Sequence, residues 1–239
     1  MKAVVLCSGG IDSVTLAYRI AAENGLERLI SFDYGQRHRR EIEHAAGIAA
    51  ALNARHDVVD IASLGRFLTS SSLISGGDAV PDGHYAENNM KSTVVPNRNA
   101  IMLSIAFGIA AGAKADAVGI AVHSGDHFIY PDCRPAFVDA FRAMQACALE
   151  GMWDVQLHAP FVGFTKSDIV REGARLGVPY EKTWSCYKGG EKHCGRCGTC
   201  VERREAFHLA GIPDPTAYED PDYWIGAIAK MKAETKKGG

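Results

Sequence analysis

Two short strings in this chain carry residue types that do chemistry, at spacings that permit it. The first is Ser8-Gly9-Gly10-Ile11-Asp12-Ser13, set between the apolar run 2–7 and an amphipathic run that follows. That context reads as the turn from a buried strand into a helix, where backbone N–H groups and the positive helix end hold anions. Glycines let the chain approach phosphate oxygens closely, and Ser8 and Ser13 add hydroxyl donors. Asp12 repels bare phosphate, so its expected work is to cap the helix or to hold Mg2+. No Gly-Lys-Ser/Thr follows, and G-x-G-x-x-G is absent, so neither a Walker loop nor a dinucleotide fold is favoured. A bare Ser-Gly-Gly would be only a tight turn. The whole string in its strand–loop–helix setting points to phosphate.

The second string holds Cys186, Cys194, Cys197 and Cys200, spaced C-x7-C-x2-C-x2-C. Four thiolates this close can close a tetrahedral Zn2+ site, with Gly195 and Gly198 permitting the turns between ligands. A closed four-sulfur site is structural, because it leaves no position open for water. An iron–sulfur cluster is the alternative at this spacing. His193 is a further conceivable ligand, though four cysteines suffice. Lys188, Lys192, His193 and Arg196 surround the cysteines and argue against burial as plain core thiols. The last ligand is expected at the start of a helix near 201–209, whose N-terminal end favours a thiolate. Cys7, Cys133 and Cys147 read as small packing residues.

Further polar groups cluster where loops should be. Asp33-Tyr34-Gly35-Gln36-Arg37-His38 follows the second predicted strand, which puts it at the same carboxyl edge as the glycine loop. Val95-Pro96-Asn97-Arg98-Asn99 opens a helix, with Asn97 as its expected cap and Arg98 as a surface cation or a phosphate clamp. His123 and His127 could suggest a metal site, but nothing fixes their mutual geometry. Lys166 stands at a helix start, where a cation opposes the dipole. It either points outward or is held there to meet an anion.

The elements that must position these groups alternate. Strands are expected at 2–7, 29–34, 56–61, 115–121 and 156–159. Helices are expected at 12–24, 39–52, 97–113 (buried on more than one side), 135–149 and 166–176, the last opened by Thr165-x-x-Asp168. Segments 64–95 and 122–134 read as long polar loops. The tail 213–239 carries Pro213, Pro215 and Pro221, then a short amphipathic helix. Alternating strands and helices give an α/β fold, a doubly wound parallel sheet, with a small C-terminal zinc-binding module. The expected division is 1–182 for the phosphate-binding α/β domain and 183–239 for the module and tail.

Composition agrees. Of 239 residues, 47% are hydrophobic and 23% charged, with 26 Lys plus Arg against 28 Asp plus Glu, a net charge of −2. No basic platform for nucleic acid is expected at that balance. The apolar run at the N-terminus is too short for a signal segment, and no stretch reads as long enough to cross a bilayer, so a cytoplasmic protein is expected.

The glycine string resembles the pyrophosphate loop of the N-type ATP pyrophosphatases. Taken in order, SGGIDS at 8–13, FDYGQRH at 32–38, VPNRN at 95–99, YPDCRPAF at 130–137 and SCYKGGEKHCGRCGTC at 185–200 resemble the QueC family of queuosine biosynthesis. Asn97 stands where many members carry glycine. The resemblance implies ATP-dependent activation of 7-carboxy-7-deazaguanine, displacement by ammonia to give the amide, then activation of the amide oxygen and its loss to give a nitrile. It implies that Cys7, Ser8, Gly9, Gly10, Ile11, Asp12, Ser13, Val14 and Thr15 hold ATP, with Mg2+ assisting, and that Tyr34, Gln36, Arg37 and His38 line the nucleotide or substrate. Asp12, Arg98 and Lys166 are candidates for handling phosphate charge, Asp132 and Arg134 for binding the deazapurine or its carboxylate. A homodimer is implied. Rival readings are a tRNA thiolase, which would want an RNA-binding extension and a catalytic cysteine pair, a family member that halts at the amide, and a non-catalytic nucleotide-binding module. With no glutaminase domain expected, ammonia comes free or from a separate partner.

Overall fold

The computed structural model describes residues 1–37, 39–68 and 71–237. Its centre is a five-stranded sheet built from β1 (Ala3–Leu6), β2 (Leu26–Asp33), β3 (Arg55–Asp60), β4 (Ala117–Gly119) and β5 (Gln156–His158), in the order β3-β2-β1-β4-β5. All four pairings are parallel. β1 is central and buried on both sides, which is why its sequence is continuously apolar rather than alternating.

Each face of β1 feeds a different layer. Ala3 and Val5 pack with α1 (Ile11–Ala22), α2 (Arg40–Ala51) and α6 (Lys166–Arg175). Val4 faces the other way, into a core with Leu103, Phe107 and Ala110 of α4 (Arg98–Gly112) and Val138 and Phe141 of α5 (Pro135–Ala148). The doubly wound expectation is therefore met. The chain leaves β1 in one direction toward β3, then returns to β4 on the other side. Neighbouring connections diverge above the carboxyl ends of β1 and β4, which opens a cleft there.

The differences from expectation lie in the loops and at element ends. β4 spans only three residues, since beyond Gly119 the backbone turns away toward the cleft. The long segment after β3 contains a short helix, α3 (Ala62–Gly65), and a 3-10 turn, Asn88–Thr93. The segment before α5 holds two more, Ser124–Phe128 and Pro131–Cys133. Asn97 does sit at the N-cap of α4, but in the left-handed region at φ 60°, with no capping hydrogen bond from its side chain. Asp132 supplies that bond instead, its Oδ2 accepting from the Asn99 N–H at 3.0 Å. Cys147 is exposed on α5 rather than packed, whereas Cys7 and Cys133 are buried.

One segment, Asn88–Gly112, passes a length and hydropathy test for crossing a membrane, against the expectation that none would. It is not one helix. The residues from Val94 to Asn97 are non-helical, and α4 alone has 15 residues. At 1.5 Å per residue that is about 22 Å, short of a bilayer core of about 30 Å.

Beyond β5 come α7 (Gly198–Ala210) and α8 (Tyr223–Lys237). Arg203 of α7 is fully buried and donates to Thr183 Oγ1 at 2.8 Å, Ser185 Oγ at 3.2 Å and the Tyr180 carbonyl at 2.9 Å. Phe207 packs edge-on to Tyr180 at 4.9 Å. These contacts seat α7 against the segment 180–185, and the Tyr180 hydroxyl donates in turn to the Val170 carbonyl of α6 at 2.8 Å.

Candidate active site

The glycine loop wraps the start of α1. Gly9 has φ 83°, and a Cβ there would lie 2.3 Å from the Glu41 carbonyl oxygen, so only glycine fits between α1 and α2. The Ser8 N–H donates to Ser13 Oγ at 3.1 Å, which curls the loop over the helix end. Among the described residues no side chain caps α1, which leaves its first amides open to an anion. Ser8, Gly10, Ile11, Asp12 and Ser13 line a cavity of about 260 Å3 at the carboxyl edge of the sheet.

Lys166, the first residue of α6, answers the question its position raised. Its Nζ donates to Asp12 Oδ2 and to Glu202 Oε2, each at 3.0 Å. Burial opposes its charge, but Asp12, Glu202 and Asp126 outweigh that and push the ammonium pKa above its ordinary value. Burial likewise opposes the Asp12 charge, yet Lys166 and His123 hold its carboxyl below the usual range. For Glu202 burial wins, and its pKa rises despite Lys166. Asp12 Oδ1, buried, has no hydrogen-bond partner among the described residues.

Behind this pair sits His123, fully buried. Its Nδ1 accepts from the Gly125 N–H at 3.1 Å, which assigns the ring proton to Nε2 in the neutral form. That Nε2 lies 3.5 Å from Asp126 Oδ2 and 3.9 Å from both Asp12 and Glu202. His123, Asp126 and Glu202 are close enough to share an ion, and His127 is not part of that group. His127 Nε2 is buried and, among the described residues, has no hydrogen-bond partner.

At the other end of the cavity, Arg98 opens α4, its guanidinium 6.0 Å from the Tyr34 ring centre. Tyr34, Gln36 and Arg37 line the cavity too. Gln36 is also tied to its own loop, Oε1 accepting from Tyr34 N–H at 2.8 Å and Nε2 donating to Phe32 O at 3.1 Å. Arg37 donates to the carbonyls of Gly77 and Asp78, clamping the long segment. Cys7 lines the cavity as well.

Other expected residues lie elsewhere. Gly9 packs on α2, and Val14 and Thr15 are buried on the core side of α1. Asp132 caps α4, and Arg134 is exposed, its Nε donating to the His127 carbonyl at 2.8 Å. Neither lines the cavity. His38 lies outside the described residues. Sequence reasoning missed Glu202 and Glu41, both on the cavity wall, and gave Asp126 no role. The one available signal for Glu202 was its place two residues after Cys200, in a helix whose start the cysteines fix.

The four cysteine sulfurs lie within 4.8 Å of one another, with Cys194 and Cys200 3.9 Å apart. Tetrahedral zinc with bonds of about 2.3 Å requires sulfurs about 3.8 Å apart, so the donor set fits. Backbone N–H groups of Lys188 and Cys194 donate to Cys186 Sγ, and those of Arg196 and Cys197 to Cys194 Sγ, at 3.3–3.4 Å. Such bonds favour thiolates. Cys197 is the N-cap of α7 and Cys200 lies in its first turn. All four are buried, against the expectation drawn from their charged neighbours. The charges turn outward instead, Lys188 and Arg196 pairing with Asp82. His193 is no ligand: its Nε2 accepts from the Ser185 N–H at 3.0 Å and its ring packs on Trp184.

The family model described as "Queuosine biosynthesis protein QueC" matches residues 2–211. The chain belongs to the QueC family. Among curated QueC-family relatives it is 64% identical over 237 residues to the 7-cyano-7-deazaguanine synthase of Rhizobium meliloti (strain 1021), covering 99% of this chain and 100% of that one. The corresponding protein of Paracoccus denitrificans (strain Pd 1222) is 64% identical over 232 residues, covering 97% and 99%. Among solved structures, an NMN synthetase from Francisella tularensis aligns with a TM-score of 0.50 at 18% identity, over 93% of this chain and 83% of its own. That likeness concerns the fold, and it agrees with the doubly wound sheet of this QueC-family chain.

Proposed function

We propose that this chain is an ATP-dependent ligase that converts 7-carboxy-7-deazaguanine and ammonia to 7-cyano-7-deazaguanine. The observation that carries the reading is the full-length match to QueC-family synthases, joined to a cavity that opens on an uncapped helix end beside a buried lysine. In the first stage a carboxylate oxygen attacks the α-phosphorus of ATP and pyrophosphate leaves. Ammonia then attacks the acyl carbon, loses a proton, and expels AMP to give the amide. In the second stage the amide oxygen attacks a second ATP in the same way, and loss of AMP with the remaining nitrogen protons leaves the nitrile. Each carboxylate oxygen departs on an AMP, so no free water is released.

This chemistry asks for charge neutralisation and alignment more than for a nucleophile. The amides at the start of α1, with Ser8 and Ser13, take the departing pyrophosphate. Lys166 and Arg98 supply positive charge from opposite ends of the cavity. Lys166 can exchange its Asp12 bond for a phosphate oxygen while Glu202 keeps its ammonium in place. The unpartnered Asp12 Oδ1 fits Mg2+, which when bound would neutralise the polyphosphate. The four cysteines fit Zn2+, which would brace residues 186–200 and the start of α7. Net charge −2 supports small-molecule substrates over nucleic acid. We assign the chain to the cytoplasm, as a homodimer, with its ATP-binding unit at 1–182 and its zinc-binding unit at 183–239.

The test is mass spectrometry of purified protein with Mg-ATP, ammonium and 7-carboxy-7-deazaguanine. A nitrile product is expected. Amide alone would truncate the reaction, and no product from folded, zinc-replete protein would overturn it. A tRNA gel shift that showed binding would revive the thiolase reading.

A further inference from the structure

With Asp132 and Arg134 outside the cavity, the ring of the substrate has no assigned partner. The edge of a 7-deazaguanine presents two adjacent donors, the ring N–H and the exocyclic amine, and a carboxylate accepts such a pair with both oxygens. Four carboxylates line the cavity: Asp12, Glu41, Asp126 and Glu202. Asp12 and Glu202 are engaged by Lys166, and Asp126 faces His123. Glu41 differs from all three. Among the described residues its carboxylate takes part in no hydrogen bond and no ion pair, although it is half-buried in the first turn of α2.

A glutamate in a first turn is often there only to suit the helix dipole. Glu43, exposed in the same turn, suits it at no desolvation cost, so the dipole does not explain why Glu41 faces inward. The wall around it is fitted to a flat polar ring. Tyr34, Tyr130 and Tyr187 line the same cavity with Phe32 and Met102. Arg98 supplies a cation there for an acidic substituent. The backbone of Glu41 is also fixed, since its carbonyl lies against Gly9 of the pyrophosphate loop. A ring held by Glu41 is therefore placed in register with the phosphates.

We propose that Glu41 is the specificity-determining residue for the heterocycle, its carboxylate accepting the ring N–H and the exocyclic amine of a 2-aminopyrimidinone edge. This rests on the synthase reading given above. Glu41 thus selects a guanine-type acid over one lacking the amine.

The test compares wild type, Glu41→Gln and Glu41→Ala on 7-carboxy-7-deazaguanine and on its analogue without the exocyclic amine, measuring KM for each acid, KM for ATP and kcat. Wild type should prefer 7-carboxy-7-deazaguanine over the analogue without the amine by about 100-fold or more in kcat/KM. Glu41→Gln should raise KM for that acid by about 10- to 100-fold, leave KM for ATP within about twofold, and bring the two acids within a few fold of each other. Unchanged KM and retained discrimination would overturn the proposal, as would a fall in kcat with KM unmoved, which would mark a proton-transfer group. Calorimetric titration of the acid onto the ATP-free protein separates this from the synthase reading. If wild type binds the acid but makes no product, the synthase reading fails while Glu41 stands or falls on the affinity of Glu41→Gln. If wild type binds no acid, both fail. A melting curve matching wild type excludes misfolding of either variant.

Discussion

The glycine loop and the cysteine cluster are both short strings punctuated by glycine, yet they are completed in opposite ways. The cysteine cluster closes on itself, with all four sulfurs drawn from residues 186–200. The glycine loop supplies only one wall of its site. Its Asp12 meets Lys166 across 154 residues of chain, and Lys166 in turn meets Glu202 and approaches His123. A site held by a metal can be built from neighbours in sequence, because coordination supplies the energy. A site that must surround a nucleotide on several sides needs a sheet to bring strand ends together. The two meet in α7, which has Cys197 and Cys200 at its start and Glu202 two residues further on.

The contrast makes predictions that differ in size. The largest concerns the local site: Cys197→Ser should abolish tight zinc binding and cost on the order of 10 kcal/mol of apparent folding energy in the module. Metal analysis and hydrogen exchange over 183–210 would check this, and a protected module without metal would break the comparison. Next, Arg203→Ala should destabilise the fold by about 3 kcal/mol in urea denaturation, because Thr183, Ser185 and the Tyr180 carbonyl lose a buried donor and Asp214, its side chain only 1% exposed, keeps only Arg204 as a cation among the described residues. A much smaller loss would mean that the metal alone seats α7.

The third tests the long-range site. Lys166→Met should lower kcat by about 100- to 1,000-fold, in line with removal of a preorganised charge donor. Zinc content should stay at wild-type level, so a variant that also lost zinc would show that the two sites are not separable. The smallest effect belongs to a purely local feature, the capping box in which Thr165 and Asp168 bond reciprocally at the start of α6. Thr165→Ala should cost about 1 kcal/mol, read as a drop of a few degrees in melting temperature.

How much of this was legible depended on range. The α6 capping box could be read directly, because Thr165 and Asp168 are three residues apart and each bonds to the other's backbone N–H. Asn97 could not be read correctly as a cap: its spacing was right, but Asp132, folded back from another loop, took the work and left Asn97 a left-handed turn. Cys147 shows the same limit, since nothing local distinguishes an exposed thiol on an amphipathic helix from a packed one. The burial of the four clustered cysteines was misjudged because charged neighbours were counted without knowing that Asp82 would draw them outward.

By itself the sequence determined the alternation of strands and helices, the phosphate loop after β1 and the metal-binding spacing, and its strings pointed to the family. All of these follow from hydrophobic periodicity, glycine geometry and ligand spacing, which act over a few residues. Only the tertiary structure decided that Lys166 faces Asp12 and Glu202, that Asp132 and Arg134 stand outside the cavity, and that Glu41 lines it with no hydrogen bond or ion pair among the described residues. Those outcomes depend on which strand ends meet at the switch point between β1 and β4, and no short-range rule encodes a contact made 154 residues away.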